Sequence, residues 1–156
     1  MTMSRRRYLV GMTACMPVTQ TLYAGVASLP EGLSEASLDA IEAMLDGREL
    51  QAGRVRLQIP KLAENGLSVP MVANIESPMS DEDHVRTLHV VAPANPVPTV
   101  ARVYFGRRAG EAYISTRIRL ADTQTVLGFA EMSDGSVWLG STHVVVTLGG
   151  CVDPIL

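Results

Sequence analysis

From Arg54 to Leu148 apolar residues recur mainly at every second position, and turn signals cut the pattern at intervals of roughly ten residues. That rhythm is the strongest constraint on the fold. A period of two places alternate side chains on opposite faces of an extended strand, so each run has one face to bury. Val55, Leu57 and Ile59 alternate with Arg54, Arg56 and Gln58, and Pro60 ends the run. Asn65-Gly66 is a turn, followed by Leu67, Val69, Met71, Ala73 and Ile75. Pro70 within that run predicts an edge strand or a late start, because proline cannot donate to a ladder. Further strands are predicted over Val85–Ala92, Thr99–Phe105, Glu111–Leu120, Thr123–Met132, Val137–Leu139 and His143–Leu148. In the run Glu111–Leu120, Ala112, Ile114, Thr116 and Ile118 share a face opposite Tyr113, Arg117 and Arg119. Short strands at such spacing predict an all-β, immunoglobulin-like β-sandwich of about seven strands.

The segment before the strands has a different period. Leu38, Ile41 and Leu45 fall on one helical face, Ser34 or Ser37 can cap it, and Gly47 follows. One short N-terminal helix over Leu33 to Asp46 is expected. With 156 residues, a single core needs no disulfide or metal. Only seven residues are aromatic, so Val, Leu, Ile, Met and Ala must fill that core. Lys61 is the one lysine, and no basic stripe interleaved with aromatics suggests nucleic acid.

Residues 1–27 read as an export signal. Ser4-Arg5-Arg6-Arg7-Tyr8-Leu9-Val10 matches the twin-arginine pattern, an apolar run follows to Val18, and small residues at Ala24, Gly25 and Ala27 suit cleavage. An ordinary secretory signal is the alternative. A lipoprotein at Cys15, within Met12-Thr13-Ala14-Cys15, is a minor one. Periplasmic residence is therefore expected, with residues 28–148 as the body and 149–156 as a C-terminal arm. Cleavage after residue 27 leaves ten basic and sixteen acidic residues, a net charge of −6. It also leaves Cys151 as the single cysteine.

Cys151 follows Gly149-Gly150, just past a strand end. The two glycines predict a flexible arm, and three residues beyond Leu148 give the sulfur a reach of roughly 10 Å. Two readings of the residue stand side by side. A free cysteine is often a small buried apolar side chain. A lone thiol in an oxidising compartment is otherwise a reactive group or half of an intermolecular disulfide. No lysine or arginine lies in the arm, and Asp153 with the terminal carboxylate disfavours a thiolate. A thiol without activating groups suits a handle that other enzymes act on better than it suits a nucleophile of its own. A stand-alone thiol enzyme would need a positioned base, which a tail after two glycines does not offer.

His84, His89 and His143 supply no metal-ligand pattern. His84 and His89 fall on opposite strand faces, and His143 with Cys151 lacks a second pair. No metal or cofactor is expected. The acidic run Ser77-Pro78-Met79-Ser80-Asp81-Glu82-Asp83 reads as a solvated turn or as a cation or partner site, without the register of a calcium loop.

Ile59-Pro60, Ala63-Glu64-Asn65-Gly66 with Val69-Pro70, and Glu76-Ser77-Pro78-Met79 occur in order along the chain. Ser115-Thr116-Arg117-Ile118-Arg119-Leu120-Ala121, Thr123-Gln124-Thr125, Ala130-Glu131-Met132-Ser133-Asp134-Gly135 and Gly149-Gly150-Cys151 follow. In this order, from about Leu33 to Cys151, the chain resembles the SoxY thiosulfate-oxidation carrier proteins. The resemblance implies an immunoglobulin-like domain paired with a second β-protein, SoxZ. It implies sulfur intermediates attached covalently to Cys151, joined there by the cytochrome SoxAX. The hydrolase SoxB would then act on them, and in some organisms the dehydrogenase SoxCD. The carrier itself would be non-catalytic and without a membrane span. The family typically ends Gly-Gly-Cys-Gly-Gly, whereas Val152-Asp153-Pro154-Ile155-Leu156 stands here. A trimmed tail, adapted partner enzymes and a different sulfur load are three readings of that departure. An immunoglobulin-like assembly module whose cysteine forms an intermolecular disulfide is the alternative to a carrier.

Overall fold

The computed structural model describes residues 29–150. The expected signal over 1–27, Cys15, Cys151 and the tail after it lie outside the described residues. Helix α1 (Glu35–Leu45) opens the domain. Ser34 caps it by accepting from the Ser37 N–H, and Asp46 in the left-handed region at φ 47° ends it, with Gly47 following at φ 75°. Ile41 is buried on its inner face, while Leu38 stays 43% exposed. The apolar stripe of α1 is thus narrower than its sequence suggests.

Nine strands follow: β1 (Leu50–Ala52), β2 (Val55–Gln58), β3 (Leu62–Ala63), β4 (Val69–Ile75) and β5 (Val85–Val91), then β6 (Thr99–Tyr104), β7 (Ala112–Ile118), β8 (Gln124–Met132) and β9 (Val137–Val146). One sheet runs β1-β9-β8-β5-β6, with β3 also paired to β9; the other runs β2-β4-β7. The two sheets and one short helix make the immunoglobulin-like sandwich that the alternating pattern predicts. The extra strands are β1 and β3, too short at three and two residues to show a period.

The largest difference from the sequence reading is at Gly140. Two predicted strands are one, because β9 passes through Gly140 without a break. A Cβ at Gly140 would collide with the Val55 carbonyl, so glycine lets β2 cross close to β9 rather than ending a strand. Pro70 gives a second difference. β4 is central, not an edge, but β2 covers it only from Val72 to Ile75. Pro70 lies beyond the end of β2 and faces only Arg117 of β7, so no second ladder asks for its missing N–H.

Strand β8 is buried on both faces. Val126, Ala130 and Met132 point into the main core with Met71, Ala73, Leu88 and Val144, while Leu127 and Phe129 pack outward under Ile41 and Leu50. Gly128 leaves room for Leu57, whose methyl carbons would sit 3.1 and 3.2 Å from a Cβ there. The β8–β9 turn lies at Asp134-Gly135, in the gap between two predicted strands, with Gly135 at φ 85°. The acidic run behaves as a structural turn. Asp83 takes both 3.1 and 3.2 Å contacts from Arg54 Nη1, and the Arg54 guanidinium lies 4.9 Å over the Trp138 ring.

Arg48 fastens the C-terminal end of α1 to the sheet. It donates to the Met44 and Leu45 carbonyls at 2.6 and 2.9 Å and to Glu131 Oε1 at 2.7 Å. A cation at these free carbonyls also complements the helix dipole. Arg48→Ala is expected to lower stability by about 1–2 kcal/mol in urea denaturation, a figure already reduced for partial exposure. An unchanged midpoint would contradict this linkage. His89, buried on β5, has its pKa held below the ordinary 6.5 by burial first, then by Arg102 and Arg48, against an opposing pull from Glu131. The folded state favours the neutral ring, so this stability is present above pH 6.5 and is lost as pH falls through the lowered value. Melting curves of His89→Gln should show a shallower loss on acidification than those of the parent chain.

Candidate functional site

The end of β9 is held on both sides. On one side the chain from Lys61 to Gly66 runs beside it. Val145 donates to the Lys61 carbonyl at 2.9 Å, Thr147 to the Ala63 carbonyl at 3.0 Å, and Gly66 to the Leu148 carbonyl at 2.7 Å. Thr147 Oγ1 adds a bond to the Glu64 carbonyl at 2.8 Å. On the other side Val146 donates to Thr123 Oγ1 at 3.0 Å. The strand does not release the chain at Leu148.

Beyond Leu148 three backbones converge. Leu120 donates to the Gly66 carbonyl, and Gly150 donates to the Leu120 carbonyl, both at 2.8 Å. No Cβ fits at these places. One on Gly66 would strike the Leu120 carbonyl, one on Gly149 the Ala121 carbonyl, and one on Gly150 the peptide of Gly66. The glycines were expected as a flexible arm. In the structure they also have a steric role, since only glycine allows peptides to approach this closely. Gly150 is buried, and the chain is held to the body through Gly150 and not only to Leu148. Cys151 itself lies outside the described residues.

A buried polar pair fixes the middle backbone of the three. Asn95 Oδ1 accepts from the Ala121 N–H at 2.8 Å, and Asn95 Nδ2 donates to the Arg119 carbonyl at 2.8 Å. Gln124 Nε2 donates to Asn95 Oδ1 at 3.1 Å, and Gln124 Oε1 accepts from the Ala94 N–H at 2.9 Å. Asn95 and Gln124 are only 7% and 6% exposed, so each amide needs all of these partners. Ser37 Oγ donates to the Pro93 carbonyl, which ties the same loop to α1. Sequence reading passed over Asn95, within the proline-rich loop, and Gln124, at a strand start. A long-lived amide between Pro93 and Pro98 was the available signal.

The rim of this seat is open and mixed in character. Leu62, Leu67, Val145 and Leu148 are among the exposed large side chains, and a groove of about 280 Å³ beside the turn is lined by Pro60, Leu62, Val69 and Pro70 together with Glu64, Asn65 and Ser68. His143 is exposed, with its Nδ1 3.2 Å from Thr125 Oγ1, and His84 bonds the Ser80 carbonyl. Among the described residues no three His, Cys, Asp or Glu side chains come together to hold a metal ion. No described helix is long and apolar enough to cross a membrane. Asn95→Ala is expected to cost about 1–3 kcal/mol, because it removes a buried amide that bonds the part-buried Ala121 N–H, the Arg119 carbonyl and Gln124. A thermal melt within error of the parent chain would contradict the bracing role.

Comparison with known proteins accords with this geometry. The family described as sulfur oxidation protein SoxY matches residues 41–151. The structure is similar to that of the sulfur carrier protein SoxY from Chlorobium limicola f. thiosulfatophilum, at 26% identity and a TM-score of 0.60, covering 74% of this chain and 100% of that one. It also resembles superoxide reductase (neelaredoxin) from Ignicoccus hospitalis, at 12% identity and a TM-score of 0.52, covering 60% of this chain and 80% of that one. That second likeness concerns the fold alone. No curated protein sequence matches the chain.

Proposed function

The chain belongs to the SoxY family of sulfur oxidation proteins, and from that premise we propose that it is a periplasmic carrier of thiosulfate-derived sulfur on Cys151. The observation that carries the reading is the place of the thiol. The family match runs through Cys151, one residue past Gly150, where the backbone is still bonded to the body. The described backbone next to that cysteine in sequence is therefore held to the body and not free. Sulfur carriage is the coarse role that the family gives. Attachment at Cys151, export by the twin-arginine signal over 1–27 and the absence of an own catalytic step are the finer parts of the proposal.

The loading step balances simply. A bond forms between the Cys151 sulfur and the outer sulfur of thiosulfate, the thiol proton leaves, and two electrons pass to a haem partner of the SoxAX kind. Water then cleaves the bond to the sulfonate group in a SoxB-type enzyme, which releases sulfate and leaves the outer sulfur on the cysteine. A SoxCD-type dehydrogenase could oxidise that sulfur further. In this proposal the partner enzymes supply the chemistry of both steps. The chain's part is to hold, reach and present. The exposed apolar side chains of the open rim favour a bound partner, and a SoxZ-like subunit in a heterodimer is the one proposed.

Intact-mass analysis after incubation with thiosulfate and the cognate cytochrome should show one sulfonated sulfur adduct, and Cys151→Ser should remove it. Melting of Cys151→Ser should match the parent, because the change replaces one sulfur by oxygen five residues beyond the end of β9 at Val146. An unmodified thiol beside an active cytochrome would overturn the proposal. So would a fixed intermolecular disulfide that never exchanges for sulfur species.

A further inference from the structure

We infer that Gly66 is a positioning residue for the carrier thiol: with Leu120 it clasps the root of the arm, and the arm extends only when that clasp opens. The inference rests on the reading of Cys151 as the carrier. If Gly149 and Gly150 served flexibility alone, the body would need no complement to them. It has one. Gly66, on a different loop, is also barred from carrying a Cβ, and the two sides meet peptide to peptide. The Gly66 N–H holds the Leu148 carbonyl at 2.7 Å, the Gly150 N–H holds the Leu120 carbonyl at 2.8 Å, and Leu120 is bonded back to Gly66. Asn95 and Gln124 keep the Leu120-Ala121 backbone in place from behind. The seat is therefore preformed, and only the arm moves.

The consequence is a difference in reach. With the clasp closed, Cys151 is one residue from an anchored backbone, roughly 4 Å between Cα atoms. With Leu148–Gly150 lifted, the anchor is Thr147, and four residues span roughly 13 Å. A partner that draws the thiol into a recess must wait for the open form. Opening breaks two hydrogen bonds and little apolar packing, since Leu148 is 68% exposed. Two net bonds of ordinary strength leave on the order of one molecule in ten to one in a hundred open. The clasp thus sets how often the thiol is extended, while the thiol's own chemistry is unchanged.

The test uses the full chain and four proteins: parent, Gly150→Ala, Gly66→Ala and the double variant. Native-state amide exchange reads position 150 directly. Capture of Cys151 by a maleimide recessed on a solid support, divided by its rate with free N-ethylmaleimide, reads reach. In the parent the Gly150 amide should be protected. Each single substitution should raise its exchange and the capture ratio by about tenfold or more, and the double variant should exceed neither. That lack of additivity is the signature of one shared clasp. If Gly66→Ala fails to fold, Gly150→Ala alone carries the test, since its side chain lies outside the core. An unprotected Gly150 amide in the parent, an unchanged capture ratio, or additive effects would overturn the inference. None of these measurements requires a sulfur adduct, so failure of loading and failure of the clasp are separate outcomes.

Discussion

Everything in the domain is registered on β9. Residues 50–66 track it along one edge: β1 pairs with it from Val137 to Leu139, β2 crosses at Gly140, and β3 pairs at Val145 and Val146. β8 pairs with it along the other edge from Gln124 to Glu131. Val144 and Val146 are buried in the main core and Val137 is buried on the opposite face under α1, so a slip of one residue would misplace all three. The last residues of the strand are therefore fixed in space by pairing that begins at the far end of the molecule. Where the arm leaves the body is a result of the whole sheet and not a local accident.

That constraint bears on how this fold can serve a sulfur carrier. A swinging group is useful only if its origin is fixed and its length is limited. The sandwich supplies the origin through two sheets, a helix clamped by Arg48, and the Asn95–Gln124 amide pair that steadies the third backbone of the seat. The glycines limit the length, because each occupies a place that a side chain could not share. Among the described residues the core side chains lie at or before Val146, whereas Leu148 to Gly150 are held by their backbone.

Much of this was legible in the residues. The alternation in β2, β4 and β7, the Ser34 cap and the Asp134-Gly135 turn follow from period and local chemistry, and each stands where the pattern puts it. The parts that were not legible depend on what crosses what. Gly140 reads as a break until β2 is seen passing over it. Pro70 reads as an edge signal until the short length of β2 is known. The same holds at the site. Gly149-Gly150 before a cysteine announces an arm, but nothing in the sequence pairs them with Gly66, more than eighty residues away. Asn95 was hidden for a related reason: a buried amide that serves backbones from a distant loop has no periodic signature.

The most direct measurement is peptide mapping by mass spectrometry of this protein isolated from cells that are oxidising thiosulfate. The account predicts that the peptide ending the chain carries additional sulfur, with or without a sulfonate, on Cys151 in a sizeable share of molecules. A terminal peptide found only as the bare thiol, or only in a permanent disulfide, would contradict it.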